Sequence, residues 1–215
     1  MASPFVLRLW SQPVSKLHPT LPQKAPSCDS SDVIVIGGGP VGMRVAQLVA
    51  QNDRKVTLLS DEPYEPYNRV RLTPLLGGDV QFGEIALDAP PELSRNLDVR
   101  VGQRVVNINR EERSVTTSDG SVWTFRALVI ATGSRSFIPQ IPGADLPGVY
   151  AFRTAADASA LLARTFSARR AVITGGGLLG LEAARGLSRR NCQVTIIEHE
   201  NRLMPASLMK VPLRI

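Results

Sequence analysis

The sequence predicts an α/β fold, and three observations carry that expectation. The stretch from "DVIVI" through "PVGMRVAQLVAQN" to "KVTLLS" reads as strand, helix and strand around a glycine-rich turn. The stretch "RRAVIT", "LLGLEAARGLSRRN" and "QVTIIEHE" repeats it, with the first glycines of the two turns, Gly37 and Gly175, 138 residues apart. Between them, residues 100–126 alternate apolar and polar side chains around "SDGS", the signature of an antiparallel hairpin.

Taken in order, the first strand is expected to open ordered structure at Asp32. Residues 61–98, rich in Pro, Tyr, Arg and Asp, read as irregular or short-helical chain. The alternating segment follows, then "ALVIATG" as a buried strand ending in a tight turn. "SRSFIPQIPGADLPG" has the prolines of a stiffened linker, and "TAADASALLARTF" the spacing of a helix. The second strand–helix–strand unit closes the pattern, with Cys192 as a small residue at the start of its last strand.

Composition narrows the function. Of 215 residues, 43% are hydrophobic, enough for a core, yet no run approaches the roughly eighteen apolar residues of a membrane span. The net charge of +6 invites a nucleic-acid reading. However, Arg8, Lys16 and Lys24 at one end and Arg202, Lys210 and Arg214 at the other account for all of it. The body between them is neutral, whereas a nucleic-acid binder concentrates its charge on a folded face. Neither nucleic acid nor membrane is therefore expected as a partner. Cys28, Cys192, His18 and His199 stand too far apart for a zinc site or a disulfide framework, which fits a reducing, cytoplasmic setting. Residues 1–30 are basic and acid-free before Asp29, a faint likeness to an organellar leader. Their prolines break any continuous amphipathic helix, so a flexible extension is the expectation.

The glycines carry the chemistry. In "GGGPVG", Gly37 would allow the tight turn, Gly39 the approach of a pyrophosphate, and Gly42 close helix–strand packing. The helix N-terminus behind them offers unpaired N–H groups to an anion. Asp61, nineteen residues beyond Gly42 with Glu62 beside it, is the acid expected on ribose hydroxyls. In the second unit, Gly175, Gly177 and Gly180 repeat the spacing and Glu198 takes the acid's place. A carboxylate there repels a 2′-phosphate and favours NADH, although His199 and Arg202 leave NADPH open. Glu182, just inside the second helix, has two readings: a charge complementing the first helical turn, or a polar group near the nicotinamide.

Two such fingerprints bracketing a hairpin and an "ATG" turn resemble the two-dinucleotide-fold flavoproteins, the pyridine-nucleotide–disulfide oxidoreductase superfamily. The wording of "DEPYEPYNRVRLTPLLGGD" is similar to the flavin module of nitrite reductase large subunits and to rubredoxin- and ferredoxin-reductase-like enzymes. The resemblance implies a Rossmann-like FAD-binding domain over residues 31–150, a parallel sheet with helices plus an antiparallel hairpin layer. A partial Rossmann NAD(P)-binding unit over 151–215 would follow. It assigns Gly37, Gly39, Gly42, Asp61 and Arg69 to FAD, together with the adenine contact at Val105 and the turn Thr132–Gly133. Gly175, Gly177, Gly180, Glu182 and Glu198 fall on NAD(P)H positions.

The segment after the first unit lacks the redox cysteine that the superfamily's disulfide reductases carry there, so no catalytic side chain is assigned. Pro74 stands where many ferredoxin-reductase-like members have a lysine able to pair with Glu182. The implied activity is hydride transfer from NADH to FAD, then electron transfer to a separate protein or domain acceptor. In the resembled family the NAD(P)H domain is inserted into the FAD domain, so a final FAD strand is expected beyond residue 215. "ASLMKVPLRI" departs from the family's continuation, which suggests a truncated chain. A non-catalytic remnant or a nucleotide-binding module are the alternatives.

Overall fold

The structure, a computed structural model, describes residues 29–204. The extension over 1–28, with His18 and Cys28, and the tail after Met204 lie outside the described residues. Among the described residues, eight strands form two sheets and four segments are α-helical. In the first unit, β1 (Asp29–Ile36), α1 (Pro40–Ala50) and β2 (Val56–Leu59) form a parallel strand–helix–strand unit. Ile34, Val35, Val56, Leu58 and Leu59 are at most 1% exposed, which explains why "VIVI" and "VTLL" read as near-continuous apolar runs. Helix α1 closes one face by burying Gly42, Met43, Ala46 and Ala50, a stripe at helical spacing.

β3 (Leu97–Arg100) adds a parallel strand beside β2, where the sequence reads as irregular up to Asp98. β4 (Val105–Asn109) and β5 (Ser114–Thr117) form the expected antiparallel pair. "SDGS" turns β5 into β6, with Thr117 Oγ1 donating to Asp119 Oδ1 at 2.6 Å and the Ser121 N–H to the same oxygen at 3.1 Å.

β6 (Val122–Ile130) differs from expectation by being one strand of nine residues. Its first residues pair with β5 and the stretch from Trp123 to Ile130 with β1, so the sheet order is β3-β2-β1-β6-β5-β4 and the hairpin layer is continuous with the parallel layer. β5 reaches only as far as Thr124, leaving residues 126–130 a neighbour on one side. Ile130 is consequently 62% exposed, and "ALVI" is not the buried strand its composition predicts. β1 also begins at Asp29 rather than Asp32, because Asp29, Ser30 and Ser31 pair with Trp123, Thr124 and Phe125 of the long β6.

After β6, residues 131–150 run as coil and turns, as the prolines predict. α3 (Ala155–Thr165) opens with a reciprocal cap: the Asp157 N–H donates to Thr154 Oγ1, and the Thr154 N–H donates to Asp157 Oδ2. β7 (Arg170–Thr174), α4 (Leu178–Arg189) and β8 (Gln193–Ile197) form the second unit, a two-stranded parallel sheet. Ala155 and Ala158 of α3 pack in a cluster with Tyr67, Leu72 and Ile85. Leu161 and Leu162, one turn further on, pack against the cluster of Leu187 and Cys192. α3 thereby joins the segment that follows β2 to the second unit. A short helix of that segment, α2 (Leu72–Gly77), packs against α4 and makes the connection a second time.

Candidate functional site

β1 stops at Ile36 and α1 starts at Pro40, so the turn between them is three glycines. Gly37 has φ +116°, a region that only glycine enters without strain, and its N–H donates to the Leu59 carbonyl at 2.8 Å. A Cβ on Gly37 would lie 2.3 Å from the Ala131 oxygen, one on Gly38 2.6 Å from Ser60 Oγ, and one on Gly42 1.9 Å from the Gly37 oxygen. All three are overlaps, so the chain can close this tightly only without side chains there. Gly39, the residue before α1, brings no side-chain cap, and α1 has no acid in its first turn. The helix N-terminus is therefore left bare for an anion.

A Cβ on Gly39 would meet only Arg69 Nε, at 3.9 Å. Arg69 lies in a single 3-10 turn (Arg69–Arg71) leading into α2, and Asn68 caps that turn by accepting from the Val70 N–H at 3.1 Å. Its guanidinium pairs with Glu62 through Nη2 and donates to the Arg153 carbonyl through Nη1 at 3.3 Å. Tyr67, nearly buried, donates its hydroxyl proton to Glu62 at 2.6 Å and accepts from the Ala155 N–H at 2.9 Å. Burial first, and the bond to Glu62 second, push the Tyr67 phenol far above its ordinary pKa, so it stays a neutral donor.

Gly37, Gly38, Gly39, Glu62 and Arg69 border a cleft of about 780 Å³ along the ends of β1, β2 and β6. Asp61, Val105, Thr132 and Gly133 also line it, so every residue singled out for the first nucleotide except Gly42 lies on one continuous surface. Gly42 sits behind it, buried against Gly37.

The second turn is built in the same way. Gly175 has φ +108° and donates to the Ile197 carbonyl at 2.8 Å, as Gly37 does to Leu59. A Cβ on Gly180 would sit 1.9 Å from the Gly175 oxygen, the same overlap as at Gly42. Gly177 precedes α4 without a side-chain cap and without an acid in the first turn. The Gly176 and Glu200 N–H groups donate to the two oxygens of Glu198, at 2.5 and 3.0 Å. Those bonds, that from Glu200 first, hold the Glu198 carboxyl below the usual carboxylate range.

Glu182 corrects one reading. α4 begins at Leu178, so Glu182 lies beyond the first turn and does not complement the helix N-terminus. It faces α2 instead, where Thr73 Oγ1 donates to its Oε2 at 3.3 Å. Thr73 is the residue beside Pro74, so α2 meets Glu182 with a hydroxyl.

Several site residues are not among those singled out from the sequence. Superposing the two turns makes Ser60 the counterpart of Glu198: Leu59 and Ile197 accept the equivalent N–H bonds, and Ser60 and Glu198 follow them. The signal was present in the sequence, since Ser60 follows Gly42 by the same 18 residues that separate Glu198 from Gly180. Asp61 is thus displaced by one residue onto the exposed rim. Arg153 lines the cleft and donates through Nε to the Ser134 carbonyl at 2.7 Å. The only local sign of it is the T-x-x-D cap that follows. Among the described residues, no cluster of three metal-ligating side chains occurs, and no helix is long and apolar enough to cross a membrane.

Comparison with known proteins agrees with this architecture. The chain is 35% identical over 180 residues to nitrite reductase [NAD(P)H] of Bacillus subtilis, covering 82% of this chain and 22% of that protein. It is 34% identical over 178 residues to the ferredoxin reductase component of chlorobenzene dioxygenase from Cupriavidus sp., covering 81% and 43%. Among solved structures, the ferredoxin reductase for the CYP199A2 system of Rhodopseudomonas palustris superposes with a TM-score of 0.74 at 26% identity, covering 83% and 45%. The chain thus spans less than half the length of each of these relatives. The pattern of the family described as pyridine nucleotide-disulphide oxidoreductase matches residues 31–211. With two glycine turns of one construction, each opening a strand–helix–strand unit, the chain belongs to the pyridine nucleotide-disulphide oxidoreductase family.

Proposed function

We propose that the chain binds FAD in the first cleft and NADH at the second turn, as the flavin module of an oxidoreductase that passes electrons to a separate protein or domain acceptor. The observation that carries this reading is the repeated turn, whose bare helix N-terminus and backbone-only lining suit a dinucleotide diphosphate. The first site fits FAD because Arg69 borders the α1 N-terminus and the cleft continues past it to Val105 on one side and Thr132–Gly133 on the other. Bound FAD would supply the hydride-accepting chemistry. This chain's residues would do the rest. Gly37, Gly39 and Arg69 hold the diphosphate, and Asp61 takes the ribose. Val105 borders the adenine, and Thr132–Gly133 form the turn over the flavin.

At the second site, Gly175, Gly177 and Gly180 receive the NADH diphosphate. Glu198, kept ionised, accepts from the 2′- and 3′-hydroxyls and repels a 2′-phosphate, which favours NADH over NADPH. Glu182, steadied by Thr73, stands on the side of α4 that faces α2, suited to the nicotinamide end. The domain division in this reading is 31–150 for FAD and 151–215 for NADH, with a cytoplasmic setting.

The test is the visible spectrum of the purified chain. A flavin band that bleaches on anaerobic addition of NADH and returns in air supports the reading. A colourless protein that still binds ADP would replace it with a nucleotide-binding module. The relatives' names include "nitrite reductase" and "ferredoxin reductase" components, which makes a small redox protein or a fused reductase domain the acceptor to try first.

A further inference from the structure

Arg69 is set apart from the other cations of the cleft by how completely its surroundings are fixed. Glu62 is 17% exposed in its side chain, and its two carboxylate oxygens face different partners: Oε1 takes Arg69 and Oε2 takes the Tyr67 hydroxyl. Tyr67 cannot swing, because its ring packs with Phe82 at 5.8 Å and its oxygen accepts from the first N–H of α3. Arg69 also lies over that ring, 5.4 Å from its centroid, and bonds to the Arg153 carbonyl. A guanidinium has more donors than these contacts use, and the Nε atom is the one beside Gly39 and the α1 N-terminus.

We infer that Glu62 and Tyr67 are positioning residues: together they form an anionic seat that turns the Nε edge of Arg69 toward the diphosphate. This rests on the reading of the first cleft as an FAD site. Without the seat, Arg69 is a long side chain with many rotamers that must be ordered on binding. With it, the planar fork is aligned before the ligand arrives, and that is the condition under which arginine's geometry strengthens anion binding.

The inference has a competitor with the opposite sign. If Glu62 merely competes with the ligand for Arg69, removing its charge must tighten the binding of any diphosphate. If Glu62 is a seat, removing it must weaken that binding although the site becomes more positive.

The experiment uses the full chain and the variants Glu62→Gln and Glu62→Asp. FAD affinity is read from flavin fluorescence, ADP affinity from calorimetry, and the Arg69 Nε–H signal from ¹⁵N NMR of the ligand-free protein. The seat predicts that Glu62→Gln weakens FAD and ADP by about tenfold and that the sharp Arg69 Nε–H signal broadens away. Glu62→Asp keeps the charge but withdraws it by one methylene, so it should weaken both ligands in the same way, and it decides the matter should Glu62→Gln not fold. Unchanged or tighter binding in the folded variant overturns the inference, as does weaker binding with the Nε–H signal intact. Failure of the unaltered chain to bind FAD would instead overturn the functional reading beneath it.

Discussion

Gly42 and Gly180 each press a Cα against the carbonyl of the first glycine of their turn, at a place where a Cβ would sit 1.9 Å from that oxygen. Gly42→Ala should therefore push α1 off β1, costing about 1–3 kcal/mol and abolishing retention of FAD. Gly180→Ala should abolish NADH binding and leave the flavin in place, which titrations of each ligand would separate. Glu198 gives a pH prediction. Its carboxyl is held below the usual range in the folded chain, so its contribution to stability is present above the ordinary glutamate range and is lost as pH falls through the lower folded value. NADH affinity should accordingly persist at pH values where an ordinary glutamate is already protonated, and Glu198→Gln should remove that resistance while reducing discrimination against NADPH. At this scale the glycines and Glu198 were legible because spacing alone encodes them. Glu62, Tyr67 and Arg153 were not assigned from spacing, because their roles depend on contacts between segments up to 88 residues apart.

The elements were legible where periodicity is strong and illegible where pairing decides. Both strand–helix–strand units stand where the sequence puts them. β3, with only Leu97–Arg100, is too short to announce itself, and it exists because the edge of β2 accepts it. β6 fuses two expected strands because β1 offers one partner along the stretch from Trp123 to Ile130. The seam between α2 and α4 is also a product of packing. Gly186 faces Leu76, where an added Cβ would meet the leucine side chain at 3.2 Å. Arg190 Nε donates to the Leu76 carbonyl at 3.0 Å, and Arg189 pairs with Asp79 at 2.6 Å. Gly186→Val should separate the helices and destabilise the second unit by roughly 1–3 kcal/mol. Hydrogen exchange would register this as a shared loss of protection in α2, α4 and β8 with β1 unaffected.

At the scale of the whole molecule, the exposed apolar side chains of the described residues include two sets. Phe137, Ile138, Ile141 and Leu146 lie along the coil after β6, and Val172 and Ile197 on the two-stranded sheet are 65% and 54% exposed. Such surface should make the isolated chain associate as its concentration rises, and light scattering should show the effect reduced by Phe137→Ser with Ile141→Ser. The two sheets also differ in what each can sustain. β7 and β8 alternate exposed and half-buried residues, while Ile34, Val35 and Ile36 of β1 and the whole of β2 are buried. A lone pair of strands is marginal in water, so the second unit depends on α2 and α3, both encoded before it. Synthesis runs in the same direction as that dependence. By the time β8 leaves the ribosome, the surface that must receive it has already been made, and the later strand–helix–strand unit has the earlier chain to fold against.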